Sequence, residues 1–219
     1  MKILCIADHI DPTIYSPGIK SRFKDVSFVL SAGDLQLSYY DYIMSNLNKP
    51  LYFVFGNHKL SKIKHYKKDY REDFYVNVFK RSKFRKGCGT YIDGKIIKEK
   101  NLLVGGLGGS MWYNGGKNQY SEFVMLIKIL KLLPALLFNR LFHGRFIDIL
   151  LTHAPPFDIH DKKDRCHRGF KVFRHFIRMF KPRYFIHGHI HLYSPCEKRI
   201  DRFHSTEIVN VYNHYIIEL

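Results

Sequence analysis

Five apolar runs punctuate the chain: KILCIA from Lys2, VSFVLS from Val26, LYFVF from Leu51, IDILLT from Ile147 and YFI from Tyr184. Short β-prone runs of this kind, bounded by Gly, Pro or Asp, read as buried strands. Between them, segments 38–48, 120–133 and 168–180 are candidate helices. Strands alternating with helices predict a layered α/β architecture. Two hairpins are expected as well. TYIDGKIIKEKNLLVGGLGG would turn at Asp93-Gly94, and TEIVNVYNHYIIEL would turn about Asn213-His214. The sequence has no internal repeat, linker or low-complexity segment, so one domain over residues 1–219 is the simplest organisation.

Each apolar run stops at a polar residue of metal-ligand type: Asp8, then Asp34, then Asn57-His58, then His153, then His189 and His191. In open α/β sheets, sites gather at the carboxyl ends of the strands. A set mixing carboxylate, amide and imidazole suits borderline divalent ions better than calcium. Gly33, Gly56 and Gly188 each precede a candidate ligand, where a bulkier residue would block close backbone approach. In GHIH, the alternation of His189 and His191 sends both to one strand face, and His187 falls out of phase as a packed or hydrogen-bonded residue.

Charge widens the range of partners. The 36 Lys and Arg against 19 Asp and Glu give +17, a field that attracts phosphate compounds, nucleic acids and anionic lipid surfaces. The Lys and Arg are scattered, without a zinc-finger, helix-turn-helix or RNA-recognition signature. Four cysteines without CxxC spacing (Cys5, Cys88, Cys166, Cys196) point to a reducing compartment. The N-terminal apolar run is too short for a signal peptide, and no run of about 18 apolar residues offers a membrane span. The expected location is therefore cytoplasmic, with peripheral contact at the inner membrane face as an extension.

The ordered series DxxD, GD, GNH, TH, GHxH resembles the calcineurin-like metallophosphoesterase superfamily. DPTIYSPGIKSRFKDVSFVLSAGDL, GSMWYNGGKNQYSE, LLTHAPPFDIHDKKDRCHRGFKVFRHFI and YFIHGHIHLY look like a bacterial branch of it. The likeness covers nearly the whole chain. It implies a four-layer α/β/β/α sandwich and two divalent metal ions, Mn²⁺ first, with Fe, Zn, Ni or Mg as substitutes. One ion would be held by Asp8, Asp34 and His191, the other by Asp34, Asn57, His153 and His189. A metal-bound hydroxide would be the nucleophile, and His58 would assist the leaving oxygen. Two positions depart from the family pattern. Ile10 stands where the first motif carries a histidine, with His9 and Asp11 flanking it, and Asp11 is a substitute candidate. Lys59 follows GNH where an acidic residue is usual.

Three further segments carry alternatives. FDIHDKKDRCHRGF packs His160, Asp161, Asp164, His167 and Arg168 into nine residues. It is either a specificity loop, with Arg168 or His167 gripping phosphate, or a helix start capped by Asp164. The loop around Trp112 either packs onto the domain edge or presents aromatics to a base. Segment 123–145 is apolar almost all round, and Pro134 should break its helix. Burial beneath another layer is the expectation for it, and contact with a membrane interface is the alternative.

Three functions follow. The first is a metal-dependent phosphodiesterase or phosphomonoesterase acting on a small phosphate ester or nucleotide. The second is a membrane-associated hydrolase of a lipid-linked phosphate or pyrophosphate. The third is a nucleic-acid-binding protein with a degraded metal site.

Overall fold

The computed structural model describes residues 1–60, Ile63, Tyr66, 89–194 and 196–219. Its strands form two large sheets. In the first, β1 (Lys2–Ala7), β2 (Val26–Ser31), β3 (Leu51–Phe53) and β4 (Thr90–Tyr91) run parallel, and β13 (Asn213–Glu218) closes the β1 edge antiparallel. In the second, β6 (Leu102–Leu107), β9 (Ile149–Thr152), β10 (Tyr184–His187) and β12 (Thr206–Asn210) are parallel. The antiparallel strands β5 (Ile96–Glu99) and β11 (Ile200–Phe203) form its two edges. A small pair, β7 (Ser110–Met111) with β8 (Gln119–Tyr120), stands apart.

Alternation along the strands explains why they read as unbroken apolar runs. Ile3, Cys5 and Ala7 of β1 join Phe28, Leu30, Val104, Ile149, Leu151, Ile186 and Val209 in the layer between the two sheets. Leu4 and Ile6 face the other way and pack with Val29, Phe53 and helices α1 (Ile19–Arg22) and α2 (Leu37–Leu47). On the far side of the second sheet, Leu150, Phe185 and Ile208 meet α3 (Glu122–Leu130), α4 (Leu133–His143) and α5 (Lys171–Phe180). Strands covered on both faces leave no polar alternation to see. Three apolar layers separate four structural ones, giving the α/β/β/α sandwich. Helix α5 shows the matching helical pattern. Phe173, Phe176, Ile177 and Phe180 are buried at spacings of 3, 1 and 3, and each such side chain contributes roughly 1.5–3 kcal/mol on burial.

Three sequence expectations fail. The tail is not a hairpin, because β12 and β13 belong to different sheets and the chain crosses between them at Val211-Tyr212. The hairpin is β11–β12 instead. The upstream hairpin turns at Lys100-Asn101 rather than Asp93-Gly94. Both turn residues have positive φ, 45° and 68°, which a two-residue turn matched to strand twist demands. The Asp93 carboxylate binds the Gly108 N–H and the Lys128 ammonium instead.

The expected burial of 123–145 is overturned as well. The segment breaks into α3 and α4, with Pro134 in the first turn of α4. Only a narrow stripe through Met125, Ile129, Leu132 and Leu136 is buried, while Phe123, Leu130, Leu137, Phe138, Leu141 and Phe142 are exposed. Among the described residues, no helix is long and apolar enough to cross a membrane. Cys5, Cys166 and Cys196 are free thiols, and Cys88 lies outside the described residues.

Candidate metal centre

Parallel strands of both sheets end on the same edge of the sandwich, and the loops that follow converge. Asp8 leaves β1, Asp34 follows β2, Asn57 and His58 follow β3, His153 follows β9, and His189 follows β10. Asp8, Asp34 and His189 have φ of 67°, 58° and 67°. Non-glycine residues held left-handed cost on the order of 1–3 kcal/mol each and persist where surrounding structure fixes them, often at functional sites. The glycines have a steric reason. A Cβ on Gly56 would overlap the Asp34 carboxylate and lie 2.5 Å from His153 Cε1, and one on Gly188 would lie 2.5 Å from Asp8 Oδ2.

Oxygen and nitrogen donors of Asp8, Asp34 and His153 lie within 4.8 Å of one another. Asn57 Oδ1 is 3.1 Å and Asp34 Oδ2 is 3.3 Å from His153 Nε2. His189 Nδ1 is 3.1 Å from the same nitrogen. The outer nitrogens of both rings are committed to carbonyls: His153 Nδ1 to Ala32 O at 2.8 Å, and His189 Nε2 to Cys166 O at 2.7 Å. A carbonyl accepts, so each outer nitrogen carries the proton. The inner nitrogens face each other, the carboxylates and the amide oxygen, so the donors gather around one position that a proton on His153 Nε2 or a metal ion can fill. Such a set calls for a cation, and oxygen and imidazole donors fit a borderline divalent ion.

Without an ion, the electrostatics put a positive charge at the same point. Burial disfavours a charged His153, but the Asp34 and Asp8 carboxylates outweigh it and raise its pKa to about 9. Burial also opposes ionisation of Asp34, yet the charge and hydrogen bond of His153, with the His58 N–H donating to Oδ1 at 2.8 Å, hold its pKa low. Asp8 is pushed up to about 7, chiefly by burial. Its carboxylate accepts the His189 N–H at 2.9 and 3.1 Å. Desolvation lowers His189 to about 3, so its ring is neutral.

The remaining candidates are placed as follows. His191 is half-buried at the mouth, stacked on Tyr212 at 4.8 Å between ring centroids, with Nδ1 2.8 Å from the Tyr193 hydroxyl. The His58 side chain is exposed beside the group. Ile10 packs into the apolar layer under α1 and α2. Asp11 is not gathered with the others, since it accepts the Thr13 N–H at 2.7 Å and pairs with His214 at 2.5 Å. His160 binds His187 at 2.9 Å, and His187 is fully buried. Asp161 accepts the Gly169 N–H at 3.0 Å. Asp164 and His167 pair at 2.9 Å and, with Cys166, form an exposed second donor group. Asp164 does not cap α5. Glu122 does, accepting the Lys171 and Val172 N–H groups at 2.7 and 3.2 Å.

Sequence reasoning missed Tyr113, whose hydroxyl sits 3.1 Å from Asn57 Nδ2 and turns the amide oxygen toward His153. It also missed the Ala32 and Cys166 carbonyls. Backbone groups leave no residue signature, and Tyr113 is one of 15 tyrosines.

The family model for calcineurin-like phosphoesterases matches residues 1–193. The chain therefore belongs to the calcineurin-like phosphoesterase family, whose members hydrolyse phosphate esters with divalent metals. A solved crystal structure aligns with a TM-score of 0.62 at 13% identity, covering 99% of this chain and 94% of that one. The crystal structure of TT1561 from Thermus thermophilus aligns at 0.60 and 14% identity, covering 97% and 89%. At those identities the likeness establishes the fold. Comparison with curated proteins gives no significant match.

Proposed function

We propose that the chain hydrolyses small phosphate esters at a centre for two divalent ions, held by Asp8, Asp34, Asn57, His153, His189 and His191. The observation that carries this reading is the 3.1 Å approach of His153 Nε2 and His189 Nδ1, with both outer nitrogens spent on carbonyls. Without an ion, a proton on His153 Nε2 fills this position, held there by the Asp34 and Asp8 carboxylates; a divalent ion would displace that proton and take the lone pairs of both rings. Bound there, two divalent ions such as Mn²⁺ would neutralise the phosphoryl oxygens and lower the pKa of an attacking water. Asp34, close to both His153 and Asp8, would be the residue shared between the two ions. The exposed His58 ring is the proposed proton donor to the leaving oxygen, and the His58 backbone N–H steadies Asp34. An assay of p-nitrophenyl phosphate and bis(p-nitrophenyl) phosphate with added Mn²⁺, against an Asp34→Ala control, tests the reading. Metal-dependent turnover lost in the variant supports it, and equal rates for the two proteins refute it.

A second reading concerns where the chemistry takes place. Phe123, Leu130, Leu137, Phe138, Leu141 and Phe142 form exposed apolar surface on α3 and α4, more than isolated surface hydrophobics require. With +17 overall, this face suits an anionic lipid surface and would bring the site to a lipid-linked phosphate. Co-sedimentation with phosphatidylglycerol vesicles at low salt supports this reading if Leu141→Glu, Phe142→Glu abolishes it. Absence of binding by the unaltered protein removes it.

A further inference from the structure

A cleft of about 470 Å³ opens beside the metal centre, lined among others by Trp112, Tyr113, Phe157, Arg165, Arg168 and Lys171. Tyr113 belongs to both places, since its hydroxyl meets Asn57 Nδ2 at 3.1 Å. The cleft wall is therefore one side chain away from a proposed ligand of the ions, and a molecule whose phosphate lies at the centre would extend its other end into the cleft.

Three features of the lining restrict what that end is. First, the cleft is cationic. Arg165, Arg168 and Lys171 are exposed, and none of the three has a carboxylate partner within salt-bridge distance among the described residues. The wall's single carboxylate, Glu122, is already spent on the Lys171 and Val172 N–H groups. Second, Phe157 orders two of these cations, with Arg168 5.6 Å and Lys171 5.2 Å from its ring centroid. Third, the Trp112 indole is 59% exposed and makes no ring contact among the described residues, although its backbone N–H is fixed to Tyr120 O at 2.9 Å. A large aromatic ring on an anchored backbone, left open beside free guanidinium groups, presents a stacking face next to a phosphate grip. The loop that carries the arginines is braced at its end. Gly169 donates to Asp161 at 3.0 Å, and a Cβ there would run into the Pro156 backbone.

We infer that the cleft between Trp112 and Arg168 binds a nucleobase together with a phosphate other than the one cleaved, so that the substrate class is a nucleotide with two or more phosphate groups. The inference rests on the proposed metal centre for the placement of the cleaved phosphate, but the cleft is testable without it. Trp112 is the only tryptophan in the chain, and its fluorescence reports the cleft directly. The experiment titrates ADP, adenosine and inorganic phosphate separately into the full-length protein with EDTA present. ADP should quench Trp112 saturably, and adenosine and phosphate should each bind at least about 10-fold more weakly, because each supplies half of the recognition. Arg165→Ala, Arg168→Ala should weaken ADP at least about 10-fold, in line with loss of charge-assisted bonds to phosphate. These side chains are exposed, and unchanged circular dichroism checks that the fold survives. Absence of an ADP-dependent signal overturns the assignment, as does equal binding of ADP and phosphate, or ADP binding unaffected by the double variant. If ADP binds but no ester is hydrolysed with any metal, the cleft stands and the hydrolase reading falls. If p-nitrophenyl phosphate is turned over but ADP leaves Trp112 unchanged, the cleft falls and the hydrolase reading stands.

Discussion

The two halves of the proposed metal centre are built differently. Around His153 and His189, every supporting contact is in place. Both rings are buried, each is oriented by a backbone carbonyl, and Asn57 is turned by Tyr113. Around Asp8 and His191 the structure is more open. His191 sits half-exposed on Tyr212, and Ile10 lies in the apolar layer where the family pattern has an imidazole. Neither neighbour replaces it, because His9 is exposed and Asp11 is held by Thr13 and His214. A site with a full donor set and fixed orientation binds an ion in a geometry already formed, and a site short of one donor must leave that position to solvent. The contrast predicts one tight ion and one weak ion.

Four changes would break or sharpen the contrast. His153→Ala, at the centre of the complete half, should have the largest effect. Loss of an outer supporting partner costs roughly 10–100-fold in metal affinity or activity, and loss of a ligand should exceed that in both Mn²⁺ binding and phosphate-ester hydrolysis. Tyr113→Phe removes only the hydroxyl that turns Asn57, and should weaken the tight ion within that roughly 10–100-fold range without changing the weak one. Ile10→His should move the other half, tightening the weak ion by about 10-fold. It should leave the tight ion alone, and a change confined to the tight ion would contradict the division. The smallest effect concerns the support behind the His189 strand. His160, facing His187, Lys198 and Asp201, is held neutral mainly by burial, with its pKa down to about 4. Below about pH 6.5 the unfolded chain binds a proton there that the folded chain refuses. The melting temperature should therefore fall as pH drops from about 6.5 to about 4, and His160→Gln should flatten that fall.

Much of this was legible in the sequence, for physical reasons that also mark where legibility ended. KILCIA and its counterparts announced themselves because burial on both faces removes polar alternation. The convergence of the strand-end residues was readable because parallel strands deliver their ends to one edge. The helix 168–180 was placed within three residues at its start because its phenylalanines follow helical spacing. The tail was misread because Thr206–Asn210 and Asn213–Glu218 have identical local character, and partner choice between two sheets is decided by tertiary contacts. Segment 123–145 was misjudged because apolar content measures what a helix can bury, not what covers it. The lone-pair geometry of the site, fixed by the Ala32 and Cys166 carbonyls, was invisible because main-chain groups are the same at every residue.

The most direct test is a calorimetric titration of Mn²⁺ into metal-stripped protein, run in parallel on His153→Ala and His191→Ala. The account predicts a tight step and a weak step in the unaltered protein, loss of the tight step in His153→Ala, and loss of only the weak step in His191→Ala. An unaltered titration curve for His153→Ala would mean that the strand ends do not hold the ion, and would contradict the account at its base.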